Sequence, residues 1–157
     1  MNKYSYFILL LATAFFSCEP DDICLAETPG TPNLIVVFYD ESNPEVKKSV
    51  TDLQVKGVGT EGIAHTGTAD SIVIPLKTKL YSTSFVFTTT VNNTSSSDTL
   101  TLNYDTQDVF ISRACGYKTT FTNLTSELSN SAVWIKKIEL VNTSISDSKT
   151  THAKILH

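Results

Sequence analysis

Short stretches of alternating hydrophobic and polar residues run through most of the chain after residue 32. The pattern is clearest where Leu100, Leu102 and Tyr104 alternate with polar residues. Such period-two alternation is typical of a β-strand with one buried face. Asn33–Asp40 is apolar on both faces, which predicts a central buried strand. The other predicted strands are Thr51–Val58, Ser71–Leu76, Ser84–Val91, Thr99–Tyr104, Val109–Cys115, Tyr117–Asn123 and Trp134–Asn142.

The segments between these strands are rich in turn-forming residues. Gly57, Gly59 and Gly62 predict a flexible turn, and Asn92–Asp98 predicts a polar hairpin loop. Thr125–Ser131 is expected to form a single helical turn. Seven or eight short strands in about 125 residues predict an all-β fold, namely an antiparallel β-sandwich, immunoglobulin-like or similar. The alternative is a partly open β-barrel.

The first residues of the chain have the pattern of an export signal. Lys3 provides a positive charge, and an apolar run extends from Tyr6 to Phe16. This run is too short to span a bilayer, which requires about 20 apolar residues. The alternative is a buried N-terminal helix of the domain, which Pro20 would end.

The end of this leader resembles the lipobox of bacterial lipoproteins. Phe15–Cys18 occupies its place, with Ser17 as the small residue before the cysteine and Phe15 where leucine is usual. The resemblance implies cleavage before Cys18 and lipidation of its thiol, which would anchor the protein stably in a membrane. Alternatively, Ala12–Ala14 fits ordinary signal peptidase, which would release a soluble protein beginning at Phe15.

These features divide the chain into three parts. Residues 1–17 are the predicted signal peptide, 18–32 an acidic and proline-containing tether, and 33–157 the β-sandwich domain. The acidic start of the tether, Glu19–Asp22, resembles the signal that exports Bacteroidota lipoproteins to the cell surface. The alternative is a solvated spacer. The predicted location is the cell envelope, as an outer-membrane lipoprotein on the surface or periplasmic face.

The chain contains three cysteines. If Cys18 is acylated, Cys24 and Cys115 remain, and in an oxidising compartment such a pair tends to form a disulfide. The alternative is two buried free thiols. Neither cysteine has the CxxC or CxxH spacing of a zinc site.

Motifs for catalysis, cofactors or nucleic acid do not occur in the sequence. The formal net charge of -4 gives no reason to expect nucleic acid. The chain has no HExxH, GxSxG or GxxxxGK motif, so we predict no cofactor, no metal and no enzymatic activity. His65, His152 and His157 are expected to lie exposed in a loop or the C-terminal tail.

Two pairs of acidic residues lie next to predicted strands. Asp105 and Asp108 are expected to cap a turn between two strands, as are Asp40 and Glu41 after the first strand. A calcium site at Asp105 and Asp108 is the alternative. Trp134 is expected in the core rather than as a sugar-stacking platform.

Two tripeptides resemble the Asp-Ser/Thr-apolar sequon for O-glycosylation of exported Bacteroidota proteins. They are Asp70–Ile72 and Asp98–Leu100, which make Ser71 and Thr99 the candidate acceptors. Both tripeptides are predicted to begin strands after turns, where a glycan could reach solvent. The alternative is a turn aspartate that precedes a strand.

Several segments of the mature chain resemble a family of short, uncharacterised Bacteroidota lipoproteins with a domain of unknown function. The resemblance implies an envelope lipoprotein with a β-rich domain, and it implies neither an activity nor functional residues. The segments are the early cysteine before Thr31–Leu34, then Phe38–Asp40, Val55–Gly59, Ser71–Leu76 and Cys115–Tyr117 followed by Phe121.

The sequence therefore predicts a cell-envelope lipoprotein with a non-catalytic binding or accessory domain. Its partners would be the membrane, through the lipid anchor, and an envelope protein or glycan met by the loops Gly57–Gly67 and Asn92–Asp98. The alternatives are a hydrolase of envelope glycans and a structural subunit of an envelope complex.

Overall fold

The computed structural model describes residues 23–129 and 131–157, and these residues form nine β-strands. The predicted signal peptide, Cys18 and the acidic start of the tether lie outside the described residues. Within the described part, no helix is long and apolar enough to cross a bilayer. The strands are β1 (Leu34–Tyr39), β2 (Val50–Gly57), β3 (Ile63–Ala69), β4 (Ser71–Ile74), β5 (Ser82–Val91), β6 (Thr94–Ser112), β7 (Gly116–Leu128), β8 (Lys137–Leu140) and β9 (Ala153–Leu156).

The strands form two separate sheets that pack as a β-sandwich, which confirms the predicted fold class over the partly open barrel. One sheet has the strand order β4-β1-β9-β8, and the other has the order β3-β2-β5-β6-β7. The pair β1 and β9 is parallel, with Val36 opposite Ala153, and departs from the predicted antiparallel pattern.

The chain divides into two compact units. The larger contains Pro29–Val109 and Lys118–His157, and the smaller contains, among its described residues, 23–28 and Phe110–Tyr117. In the smaller unit a disulfide joins Cys24 and Cys115, whose Cα atoms are 4.9 Å apart.

The core of the larger unit is built from the alternating positions found in the sequence. Leu100, Leu102 and Tyr104 are buried on β6, as the alternation predicts. Phe85 and Phe87 share the buried face of β5, with ring centroids 6.5 Å apart. Because these side chains and the buried residues of β1 form one apolar cluster, the two sheets are held by hydrophobic burial.

Two strands were not predicted. β3 was expected to be part of a glycine-rich turn, because no clean alternation marks it in the sequence, and in the structure most of its residues are exposed. It is an edge strand that pairs with β2 alone. β9 was expected to be a tail, yet it lies between β1 and β8, and its short apolar segment is buried by that position.

Three segments that were predicted to connect strands lie wholly or partly within β-strands. The expected loop Asn92–Asp98 is a two-residue turn, Asn92 and Asn93, with φ of 50° and 61°, and β6 begins at Thr94. This turn geometry with positive φ at both residues suits the twist of a hairpin. The strands predicted at 99–104 and 109–115 fall on the single strand β6, which ends at Ser112, so residues 113–115 form a turn instead. β7 continues through Leu128 where a helical turn was expected.

Candidate functional site

An open pocket of about 280 Å³ lies between the β2–β3 hairpin and the segment that joins β4 to β5. Its lining is mostly apolar and includes the buried side chains Leu76 and Phe85 together with Pro75 and Ala64. Ile63 also lines the pocket and is 54% exposed. The volume lies just below the range of about 300–1,000 Å³ that is typical of ligand sites in proteins.

The hairpin beside the pocket depends on two glycines. A Cβ atom at Gly57 would lie 2.9 Å from the Oγ1 atom of Thr60, so a larger residue would displace that side chain. Gly59 has a φ of +76°, a backbone angle that residues other than glycine rarely adopt. The turn therefore brings Thr60 back onto Gly57, where its hydroxyl donates to the Gly57 carbonyl at 2.9 Å.

The polar groups of the pocket are bonded within the protein. The Oγ1 atom of Thr83 accepts the backbone N–H of Lys77 at 3.0 Å and is hydrogen-bonded to the Tyr104 hydroxyl. That hydroxyl donates to the Lys77 carbonyl at 2.9 Å, and burial raises the pKa of Tyr104. The Lys77 ammonium group donates to the Val58 carbonyl at 3.4 Å. What the pocket presents to a ligand is therefore mainly apolar surface.

Asp98 is a buried acidic residue in β6, with 1% of its surface exposed. Its carboxyl oxygens accept the backbone N–H groups of Val133 at 2.6 Å, Trp134 at 2.9 Å and Ile135 at 2.7 Å. These residues lead into β8 of the other sheet. Asp98 thus fixes the segment that crosses between the sheets, which is a structural role.

The three histidines were predicted to be exposed in a loop or the C-terminal tail, but in the structure none of them is fully exposed. His152 is 0% exposed, and its Nδ1 atom accepts the Ile35 N–H at 3.1 Å. Burial lowers the pKa of His152, which favours the neutral ring, and its Nε2 atom has no hydrogen-bond partner. His157 is half-buried at an edge-to-face distance of 5.6 Å from Trp134, and His65 is half-buried in β3.

The carboxylate pairs do not converge on a common site. Asp105 and Asp108 lie within β6, so the prediction that they cap a turn is wrong. They bond across to β7, where Asn123 donates to Asp105 at 2.7 Å and Thr119 donates to Asp108 at 2.6 Å. Among the residues that the structure describes, no cluster of three or more acidic, histidine or cysteine side chains could hold a metal ion.

Asp40 lies in the turn after β1, as the sequence predicts. Asp40 accepts the Ser42 N–H at 2.7 Å and lies 3.2 Å from the Lys48 ammonium group. The pKa of Asp40 is lowered mainly by the hydrogen bond from the Ser42 N–H and, to a smaller extent, by the Lys48 side chain.

Trp134 packs against the core, and its Nε1 donates to the Phe87 carbonyl at 3.2 Å, so it is not a free stacking platform.

One family model matches residues 52–157, which include most of β2 and all later strands. Its description is a family of unknown function, DUF6452. The chain belongs to this family. No curated protein and no solved structure matches the chain. Membership of DUF6452 assigns no activity to the pocket, so the function of the site has to be argued from its geometry.

The two candidate glycosylation sites differ in this DUF6452 member. Ser71 is exposed at the start of the edge strand β4, and its hydroxyl donates to Asp70 at 2.9 Å. Thr99 is half-buried inside β6, and its carbonyl accepts the Ser129 N–H at 2.9 Å. The expectation that both begin strands is therefore wrong for Thr99, because strand pairing starts five residues earlier, at Thr94. Modification of Ser71 stays a prediction.

Sequence reasoning found the cysteine pair but missed the pocket. The structure brings Cys24 and Cys115 together as a disulfide. The pocket combines the turn after β2 with Pro75 and Leu76 after β4 and with Phe85 of β5. The only signal in the sequence was the cluster of glycines at 57, 59 and 62, which indicates a sharp turn and not a cavity.

Proposed function

We propose that this chain is an outer-membrane lipoprotein of Bacteroidota, anchored through Cys18, whose β-sandwich is a non-catalytic binding module. The pocket beside the β2–β3 hairpin binds a small apolar group, such as a short acyl chain, of an envelope component. The leader and the Phe15–Cys18 motif support the anchor.

The observation that carries the binding role is the contrast within the pocket between free apolar surface and occupied polar groups. The hydroxyls of Thr60 and Thr83 are hydrogen-bonded to neighbouring protein groups. Catalysis by acid and base requires a titratable group that can reach the substrate. The pocket lining contains no carboxyl or imidazole group, and its single lysine donates to a backbone carbonyl.

The outer face of the larger sheet also supports a module rather than a glycan hydrolase. Hydroxyl pairs join β5 to β6 across this face, so its polar groups bond to one another. They are Ser84 with Thr101 at 2.8 Å, Thr88 with Ser97 at 2.8 Å and Thr90 with Ser95 at 3.0 Å. A hydrolase of glycans needs two opposed carboxyl groups across a cleft. The carboxyl groups of Asp105 on β6 and Glu127 on β7 instead accept hydrogen bonds from the side chains of Asn123 and Asn103.

Replacing Cys18 by serine is expected to abolish lipidation, because serine lacks the thiol to which the lipid is attached. The measurement is metabolic labelling of cells with a clickable fatty acid, followed by detection on the purified protein. Cys24→Ser is the matched control and is expected to keep full labelling. Equal labelling of wild type and Cys18→Ser, or a mature protein that begins at Phe15, would overturn the anchor.

Replacing Ala64 by leucine is expected to fill the pocket and weaken binding of an apolar probe by about tenfold or more, which corresponds to roughly 1.4 kcal/mol. The measurement is fluorescence titration of the exported domain, residues 23–157, with anilinonaphthalene sulfonate. Circular dichroism of each variant first establishes that it is folded. Thr66→Leu adds apolar volume at an exposed position of β3 outside the pocket lining and should bind like wild type. Unchanged affinity in a folded Ala64→Leu variant rejects the pocket.

A further inference from the structure

The smaller unit exposes four large hydrophobic side chains. They are Ile23 at 75% exposed, Leu25 at 68%, Phe110 at 55% and Tyr117 at 69%. The rings of Phe110 and Tyr117 contact each other edge to face, with centroids 5.3 Å apart. Exposed apolar clusters of this kind on a soluble domain commonly mark a surface that meets a protein or a membrane.

The disulfide joins the two segments that carry these side chains. Cys24 lies between Ile23 and Leu25, and its partner Cys115 lies two residues before Tyr117. The Thr28 N–H donates to the Leu25 carbonyl at 3.0 Å, which closes a turn just after the bonded cysteine. We call Ile23, Leu25, Phe110 and Tyr117 the apolar tip. The cross-link removes conformational freedom that these residues would otherwise lose on meeting a partner.

The apolar tip lies close to the proposed anchor in sequence. Only five residues lie between Cys18 and Cys24, and the six residue steps from one to the other span at most about 20 Å when fully extended. If Cys18 carries the lipid, as proposed above, the bonded Cys24 cannot move farther than this from the membrane surface. The short tether therefore keeps the apolar tip within reach of the lipid headgroups, whereas a protein partner would have to enter this narrow space.

We propose that the apolar tip inserts into the headgroup region of the membrane that holds the anchor. This inference rests on the proposed lipidation of Cys18. Aromatic side chains with a polar end, such as tyrosine, favour the boundary between lipid and water, and apolar side chains next to them bury surface in the same layer. The tip gives the chain a second contact with the bilayer beside the lipid anchor.

The test uses the full lipidated chain reconstituted into phosphatidylcholine vesicles whose acyl chains carry bromine near the headgroup. Trp134, the single tryptophan, is replaced by phenylalanine, and Phe110→Trp or Val91→Trp adds one reporter. Val91 is a matched control because it is 53% exposed and lies outside the tip. We expect brominated lipid to quench the Phe110→Trp reporter several-fold more than the Val91→Trp reporter.

Each outcome decides between the proposals. If mass spectrometry shows acylated Cys18 and both reporters are quenched equally, the tip does not enter the bilayer, while the anchor stands. If the Phe110→Trp reporter is shielded from aqueous quenchers in native envelopes but not in vesicles, the tip meets a protein and the inference is overturned. If the chain carries no lipid at all, the proposed function and this inference fail together.

Discussion

Replacing Asp98 by alanine is expected to lower the free energy of unfolding by about 3–5 kcal/mol, because several backbone N–H groups lose their acceptor at once. Val133, Trp134 and Ile135 donate to this single carboxyl group, and the Ile135 bond is buried. Alanine supplies no acceptor, and a buried donor without a partner keeps its full desolvation cost.

The measurement is urea unfolding of residues 23–157, monitored by far-ultraviolet circular dichroism and by the fluorescence of Trp134. Asp70→Ala is the matched control, since it removes the aspartate of the other sequon at an exposed site. We expect the control to change stability by less than about 0.5 kcal/mol. Asp98→Asn keeps one acceptor oxygen and should fall between wild type and Asp98→Ala. A loss below about 1 kcal/mol in Asp98→Ala would contradict the structural role.

Removing the disulfide by the double replacement Cys24→Ser and Cys115→Ser is expected to lower the free energy of unfolding by about 4 kcal/mol. The bond closes a loop with a sequence separation of 91. Such a cross-link restricts the unfolded chain, so its loss raises the entropy of the unfolded state. The same change also releases residues 23–28 from the β6–β7 hairpin.

Urea unfolding of oxidised wild type, reduced wild type and the double variant measures this effect. Reduced wild type is expected to match the double variant, and the double variant should not respond to reductant. Non-reducing mass spectrometry of a proteolytic digest identifies the linked peptides that contain Cys24 and Cys115. Equal stability of oxidised and reduced wild type would contradict the expected stabilisation, and a digest without the linked peptides would show that the two thiols are not joined in the native protein.

The strands that the sequence predicted are those whose own residues alternate or are apolar throughout. Leu53 and Val55 on β2 face the core as their spacing requires, and β1 is an inner strand as its apolar faces indicate. β3 and β9 were missed because neighbouring strands create them. β3 follows the β2 edge although it is mostly exposed, and the four residues of β9 carry too short a pattern to predict a strand.

Some aspartates were wrongly predicted to lie in turns or loops, because other segments of the chain donate hydrogen bonds to their carboxyl groups. Asp105 and Asp108 interrupt the alternation of β6, but side chains of β7 donate to both carboxyl groups. Asp98 follows a run of polar residues that indicates a loop, yet it is buried because three backbone N–H groups converge on it. The roles of these aspartates depend on hydrogen bonds between residues that lie 11 to 37 positions apart in the sequence.

By itself, the sequence determined the all-β class, the inner strand β1, the buried faces of β2, β5 and β6 and the pairing of the two later cysteines, since each depends on local periodicity or on a count of thiols. Only the tertiary structure decided the parallel β1–β9 pair, the burial of His152 and the apolar pocket. Each of these requires segments that are distant in sequence to meet, and a pattern along one segment does not specify its distant neighbours.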